Sequence, residues 1–406
     1  MSKPRPPLPD GPYLVVGLAR SGAAAALMLR GHGAVIGVDS GWPTVPDGID
    51  AHLGTDGVAL LDRVRTVVKS PGVPKEAAVV AAARERGLQV VGELELAWRL
   101  LPNEFIAVTG TNGKTTTVEL LGAMHRAAGA PVAVAGNVGT PLAALVGSVD
   151  PEAVVVCEAS SFQLEDTTAF SPECAVLLNI EPDHIDRHGT FAAYRDAKLR
   201  VFANQGPGDV AIREPFPPLP IPAGELRLRG AHNLENARAA SAAALARGLD
   251  RGAVAEALRT FGGVPHRLEE VAQERGVTWI NDSKATNVAS ARVGIEAFDG
   301  GVHLIAGGSL KGGGFEGLRE PVAARCKAVY LIGQASDRLA ADLAPAGVPI
   351  ERCGELEPAV RAVASAAEPG DVVLLSPACA SFDQYEDFEA RGAHFRELAR
   401  RWACEG

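Results

Sequence analysis

Val108-Thr-Gly-Thr-Asn-Gly-Lys-Thr-Thr-Thr117 is the stretch whose reading decides the fold. Before it, Phe105 to Val108 is a short apolar run of strand type, and after it Thr115 to Ala128 carries helical spacing. The glycines therefore sit at a strand-to-helix turn, where backbone amides point outward. Gly110, Thr111, Asn112 and Gly113 leave those amides open to phosphate oxygens, Lys114 adds a point charge near the terminal phosphates, and Thr115, followed by Thr116, can turn a hydroxyl to Mg²⁺. The string departs from the general G-x-x-x-x-G-K-[ST] form, because Val108 holds the first glycine position and the glycine stands at Gly110 instead. A glycine-rich turn before an ordinary helix is the plain alternative. Strand, glycines, Gly-Lys-Thr and helix in register favour a bound nucleoside triphosphate.

At 406 residues the chain suits two or three domains. A formal charge of −10 with no run of Lys and Arg argues against a nucleic-acid surface, since counterion release needs clustered cations. The cysteines Cys157, Cys174, Cys326, Cys353, Cys379 and Cys404 form no CxxC pair, which suggests neither a zinc knuckle nor a disulfide framework and fits a reducing cytoplasm. Met1 to Pro9 is proline-rich and lacks an apolar signal core, and no apolar stretch reaches bilayer length. A cytoplasmic, soluble chain without a membrane span is expected.

Working outward toward the N-terminus, Tyr13 to Val16 reads as a strand, then Gly17-Leu-Ala-Arg-Ser-Gly22 opens an alanine-rich helix, and a second strand ends in Asp39. This is the layout of a dinucleotide fingerprint, with an acidic residue about twenty positions beyond the glycines. Ala19 replaces the middle glycine, and its Cβ crowds a pyrophosphate, so a nicotinamide dinucleotide and a purely structural turn both remain open. A nucleoside diphosphate approached from the Leu18 and Ser21 amides is the preferred reading. Thr66 to Lys69 runs into Ser70-Pro-Gly-Val73; a ligand beyond the strand ends would find Asp39 and Ser70 on one rim, although a simple turn explains Ser70 to Gly72 equally well.

Beyond the phosphate loop, Val132 to Ala135 ends at Asn137, and the unbroken apolar run Ala153 to Cys157 ends at Glu158. A carboxylate at the end of a buried parallel strand beside a phosphate loop is well placed for Mg²⁺; a surface carboxylate is the bland reading. Ala175 to Leu178 opens into Asn179-Ile-Glu-Pro-Asp183-His184-Ile-Asp-Arg-His188. Such a loop is often merely solvated, and His184, nearest the strand end, is the favoured ligand. Lys198, on a helix from Phe191 to Ala203, reads by pattern as a solvated charge. Asn204 to Leu228 is rich in proline and glycine, with little room for a full βαβ unit. Asn233 and Asn236, three apart at the start of a long alanine-rich helix, could read the edge of an adenine.

In the last third, Gly262-Gly-Val-Pro-His266-Arg267 looks like a hinge whose cations could close onto a phosphate. Three apolar runs then open into Asn281-Asp-Ser-Lys-Ala-Thr-Asn287, Gly307-Gly-Ser-Leu-Lys311 and Ser376-Pro-Ala-Cys-Ala-Ser381. Their loops present Lys284, Thr286, Lys311 and Ser381, a set suited to a dicarboxylate; lysines that only cap or solvate loops are the alternative. The expected fold class is therefore α/β, with three consecutive α/β domains over residues 1–101, 102–263 and 264–406.

These strings together resemble the Mur ligases of peptidoglycan synthesis over nearly the whole chain. The resemblance is carried by Gly110-Thr-Asn-Gly-Lys-Thr115, Glu158-Ala-Ser-Ser-Phe-Gln163, Asp183-His184, Gly230-Ala-His-Asn233, His266-Arg267, Asp282-Ser-Lys-Ala-Thr-Asn287 and Ser376-Pro-Ala-Cys-Ala-Ser381. Ser-Ser-Phe-Gln and Asp-Ser-Lys-Ala-Thr-Asn are most similar to the branch that adds D-glutamate. The resemblance implies a Rossmann-like first domain, a P-loop ATPase-like second and a Rossmann-like third. It implies ATP-dependent amide formation: the L-alanyl carboxylate of UDP-N-acetylmuramoyl-L-alanine takes the γ-phosphoryl group, and the D-glutamate amine displaces phosphate. It implies two Mg²⁺ ions, with Thr115, Glu158, His184 and a carbamylated Lys198 as ligands, and Arg267 as the γ-phosphate clamp. Asn233, Asn236 and Asp282 match positions around adenine and ribose. Gly17, Leu18, Ser21, Asp39, Ser70, Asn137 and His184 match the uridine-substrate site, and Lys284, Thr286, Lys311, Ser381, Phe382 and Phe388 the D-glutamate pocket. A monomer is expected.

Other readings keep separate marks. A sister ligase would take L-lysine, L-alanine or L-glutamate instead. An oxidoreductase built on Gly17 to Asp39 would bind NAD but leaves Gly110 to Thr117 without a task, and a binding protein that has lost catalysis would show a broken catalytic set.

Overall fold

The apolar runs that end in polar loops are strands of parallel sheets. The computed structural model describes residues 3–228, 230–310 and 314–404. A first sheet joins β1 (Tyr13–Val16), β2 (Val35–Asp39), β3 (Asp50–Leu53), β4 (Thr66–Lys69) and β5 (Gln89–Gly92) in the order β3-β2-β1-β4-β5, all parallel. A second joins β6 (Phe105–Thr109), β7 (Val132–Gly136), β8 (Val154–Glu158), β9 (Cys174–Leu177) and β10 (Val210–Ile212) in the order β10-β9-β6-β8-β7, again parallel. The third joins β11 (Glu269–Glu274), β12 (Val277–Asn281), β13 (Val302–Gly307), β14 (Cys326–Ile332), β15 (Ile350–Gly354) and β16 (Val372–Leu375) in the order β11-β12-β16-β13-β14-β15. There β11 runs antiparallel to β12, and the remaining pairs are parallel.

Every residue of β1, β4, β6 and β12 is buried, because helices cover both faces of a parallel sheet. Such strands need continuous apolar sequence, and each fully covered Val, Leu or Ile contributes roughly 1.5–3 kcal/mol. Strand order reverses beside β1 and beside β6, so the crevice at their carboxyl ends is where a doubly wound sheet takes its ligands. The proline-rich stretch after Asn204 still supplies β10, three residues long, which pairs with β9 and completes the edge of the second sheet. The chain divides into two compact units, Met1–Phe261, which holds the first two sheets, and Gly262–Gly406, which holds the third. Among the described residues no helix is long and apolar enough to cross a membrane.

Candidate active site

At the carboxyl end of the first sheet lies a cavity of about 570 Å³. Gly17, Ser21, Asp39, Ser70 and Asn137 line it, so these sequence-selected residues meet on one wall system, with Gln163 of the second sheet's side. The turn after β1 is held open by close packing of the following helix, Arg20–Leu29. A Cβ on Gly22 would stand 1.7 Å from the Gly17 carbonyl oxygen, so only glycine fits there. Ser70 Oγ donates to the same carbonyl at 2.6 Å, tying β4 to the turn. Leu18 and Asp39 are joined to each other. The Leu18 amide donates to Asp39 Oδ2 at 2.7 Å, and its side chain is buried, so that amide is already engaged. Asp39 Oδ1 accepts the Gly41 amide at 2.8 Å; the carboxylate therefore shapes two loops.

The phosphate loop follows β6, and Gly113, at φ +85°, starts the helix Lys114–Ala127. Two asparagines hold the loop from below. Asn179 Oδ1 accepts the Asn112 amide at 2.9 Å while the Thr111 amide donates to the Asn179 carbonyl at 3.0 Å. A Cβ on Gly113 would come within 2.1 Å of Asn236 Oδ1, so Asn236 packs against the loop itself, and its Nδ2 donates to Asn233 Oδ1 at 3.3 Å. Asn236, selected for adenine, also braces the phosphate loop, and Asn233, half-buried, stands nearer the surface. Lys114 Nζ curls over the loop onto the carbonyls of Gly110 and Thr111 at 3.0 and 2.9 Å. Thr115 and Thr116 are buried at the helix start.

Two buried groups flank this loop. Glu158 ends β8 with 2 % exposure; its Oε1 accepts Asn137 Nδ2 at 3.1 Å, and its Oε2 has no hydrogen-bond partner. An anionic oxygen left bare inside a protein marks a place for a cation. Asn137 thereby joins the wall of the first-sheet cavity to the carboxylate of the second sheet. Lys198, read by pattern as solvated, is instead 2 % exposed, with Nζ donating to the Gly110 carbonyl at 2.7 Å and lying 4.6 Å from the Tyr194 ring centroid. Burial first, and the Lys114 charge second, push its pKa down to about 7 against the pull of Asp183 and Glu158.

The Asp183-His184 loop holds two histidines in different surroundings. His184, at φ 50°, is about half exposed; it pairs with Asp183 at 3.4 Å and packs its ring 4.9 Å from Phe162. His188 is the buried histidine, stacked on Phe162 at 5.3 Å with Nε2 3.0 Å from Ser161 Oγ, and desolvation lowers its pKa. Among the described residues no three His, Cys, Asp or Glu side chains assemble as a ligand set.

In the second unit, the ends of β12, β13 and β16 converge. Asp282, with 4 % exposure, accepts Ser376 Oγ at 2.7 Å and the Leu268 amide at 3.2 Å, and desolvation lifts its carboxyl to about 7. It anchors the Arg267 segment to the strand ends from inside. Lys284 donates its amide to the His266 carbonyl at 2.9 Å, and Thr286 is half-buried beside it. Ser381 is buried, Phe382 is 71 % exposed, and Phe388 sets its ring edge-on 6.2 Å from His266. Lys311 lies outside the described residues. Sequence reading missed Arg391, which is 1 % exposed and binds Ser283, Cys379, Ala380 and Gly307. One guanidinium ties three strand-end loops, though its helical position looks like any surface arginine's.

A phosphate loop beside a bare carboxylate, a buried lysine of depressed pKa and a nucleotide-sized cavity define an ATP-using ligase, and the chain belongs to the Mur ligase family. Residues 108–214 match the Mur ligase middle domain, and residues 266–379 match the Mur ligase, glutamate ligase domain. Within the family it is similar to the UDP-N-acetylmuramoylalanine–D-glutamate ligase of Acidobacterium capsulatum, 42% identical over 95% of this chain and 95% of the relative. The enzyme of the same name from Pelotomaculum thermopropionicum is 41% identical over 95% of this chain and 96% of its own. The fold is shared with the UDP-N-acetylmuramate–alanine ligase of Thermotoga maritima, TM-score 0.59 at 18% identity, covering 97% and 100% of the two chains. It is shared too with the Thermotoga maritima MurF ligase solved with ADP, TM-score 0.55 at 17% identity, covering 97% and 96%.

Proposed function

We propose that this chain joins D-glutamate to the L-alanyl carboxylate of UDP-N-acetylmuramoyl-L-alanine, converting ATP to ADP and phosphate, in the cytoplasm and as a monomer. The names of its relatives support that reading, and one observation carries it: Asn137 sits on the first-sheet cavity and donates to Glu158. A substrate whose uridine diphosphate end fills the cavity has its acyl end directed along that polar path toward the phosphate loop. A free carboxylate has no leaving group, so an oxygen of the L-alanyl carboxylate attacks the γ-phosphorus and ADP departs. The D-glutamate amine then adds to the acyl carbon, and phosphate leaves with the carboxylate oxygen it had captured.

In this reading the amides of Gly110 to Gly113, with Lys114, Thr115 and Thr116, hold the phosphates, and the braced loop keeps the amides aimed without reorganisation. Glu158 and Thr115 fit Mg²⁺, since the Glu158 Oε2 is a buried carboxyl oxygen with no hydrogen-bond partner. Bound there, the ion neutralises charge on the phosphates. Lys198 is suited to carbamylation because an amine with a pKa of about 7 is largely neutral and nucleophilic at working pH. A carbamate there would place one negative charge, shared over two oxygens, beside the loop; His184 serves a second ion or the substrate carboxylate. Arg267 clamps the γ-phosphate, Asn233, Asn236 and Asp282 border the adenosine, and Lys284, Thr286, Lys311, Ser381, Phe382 and Phe388 form the amino-acid pocket. Domain boundaries at 101/102 and 263/264 belong to the same proposal.

The test is phosphate release from ATP, Mg²⁺ and UDP-N-acetylmuramoyl-L-alanine with D-glutamate, L-glutamate, L-lysine or L-alanine in parallel. Release with D-glutamate alone is the expected result. Release that prefers another amino acid makes the chain a sister ligase.

A further inference from the structure

We propose that the indole of Trp42 is the platform on which the nucleobase of the uridine-diphosphate substrate stacks. This rests on the reading of the first-sheet cavity as the uridine-diphosphate site, and it deepens that reading by assigning the base. Trp42 is 81 % exposed, more than any other large hydrophobic among the described residues. A tryptophan left in water on a mobile loop would be unremarkable, but this one is held. A Cβ on Gly54 would stand 2.8 Å from Trp42 Cζ2, so the six-membered ring lies close against Gly54. Gly54 itself donates to the Gly41 carbonyl at 3.2 Å, and Thr55 donates to the Asp39 carbonyl at 3.3 Å. The Asp39 carboxylate takes the Gly41 and Leu18 amides, which locks this loop to the turn after β1.

The indole is thus held beside Gly54 and otherwise largely bare. Ser40 on one side of the sequence, and Thr55 and Asp56 on the other, line the cavity, and the ring, close against Gly54, stands next to those lining residues. A flat, preordered aromatic beside a nucleotide-sized cavity covers its apolar face best with another flat π-system. Stacking needs no particular hydrogen-bond pattern, so Trp42 supplies affinity for a base while the polar groups beside it are left to choose which. The Gly54 contact also explains a glycine, at φ +68°, in that position.

The experiment titrates the full chain with UDP, following tryptophan emission and heat of binding together. The account expects a saturable change in emission that disappears in Trp42→Phe, which still binds UDP within about threefold because phenylalanine keeps a stacking face. Trp42→Ala should weaken UDP about tenfold, the low end for losing one base–aromatic stack, while ribose 5-phosphate, which has no base, binds wild type and variant alike. UDP binding seen by heat with no change in Trp42 emission, or unchanged UDP affinity in Trp42→Ala, overturns the assignment and leaves the cavity reading standing. No UDP binding to wild type overturns the cavity reading and the assignment with it.

Discussion

Replacing Lys198 with methionine should change how the protein's stability depends on pH. The native amine is pushed down to about 7 by burial, against 10.5 for a free lysine. Between those values the unfolded chain holds a proton that the native state has released, so wild-type stability rises with pH at ~1.4 kcal/mol per unit. Below pH 7 both states carry the proton, and the full penalty of burying the charge is felt, on the order of 5 kcal/mol. Methionine fills similar space with nothing to titrate. At neutral pH the variant therefore gains from losing the buried charge, less about 1 kcal/mol for the lost bond to the Gly110 carbonyl. The gap between variant and wild type should narrow by ~3 kcal/mol from pH 7.5 to pH 9.5. Urea denaturation of both proteins in buffer stripped of CO₂ measures it. Stability curves that run parallel across that window would show that Lys198 titrates as an ordinary lysine, and the argument for its carbamylation would fall with them.

Further consequences concern single contacts. Gly113→Ala forces a Cβ to within 2.1 Å of Asn236 Oδ1 at φ +85°, so ATP affinity measured by calorimetry should fall at least tenfold, while UDP affinity holds. Glu158→Gln keeps the bond from Asn137 but removes the charge on the bare Oε2; the Mg²⁺ concentration giving half-maximal phosphate release should rise severalfold, and an unchanged titration would remove Glu158 from the metal site. Arg391→Leu removes the donor from buried carbonyls of Ser283 and Cys379 in the second unit at roughly 1–3 kcal/mol each, so that unit should melt earlier; the milder Arg391→Lys should raise the KM for D-glutamate before that for ATP. Equal KM shifts for both would assign Arg391 to folding alone.

The sheets were legible because a parallel strand buried on both faces has to be an apolar run, and Tyr13 to Val16, Thr66 to Lys69 and Phe105 to Val108 leave no other use for themselves. The phosphate loop was legible because Gly110, Gly113 and Lys114 are local to one turn. Gly22 was legible as part of a fingerprint, and its packing against Gly17 gives the reason. What the sequence concealed depends on partners far along the chain. Lys198 meets a carbonyl 88 positions away, Arg391 meets Ser283 108 positions away, and neither helix carries any mark of it. His184 and His188 share one loop, and which is buried depends on Phe162 and Ser161 in another segment. Asp39 and Asp282 end strands as binding residues do, yet both spend their oxygens on nearby amides or hydroxyls. Strand-end position locates a site; it does not say which way a side chain turns.

The central claim is that the L-alanyl carboxylate is activated by phosphoryl transfer before the amine attacks. Turnover of UDP-N-acetylmuramoyl-L-alanine carrying ¹⁸O in that carboxylate, with ATP, Mg²⁺ and D-glutamate, tests it directly by mass analysis of the phosphate released. The account predicts one substrate oxygen in each phosphate, because the oxygen that captured phosphorus leaves with it. Phosphate free of label, in a reaction that still makes the amide, would contradict it.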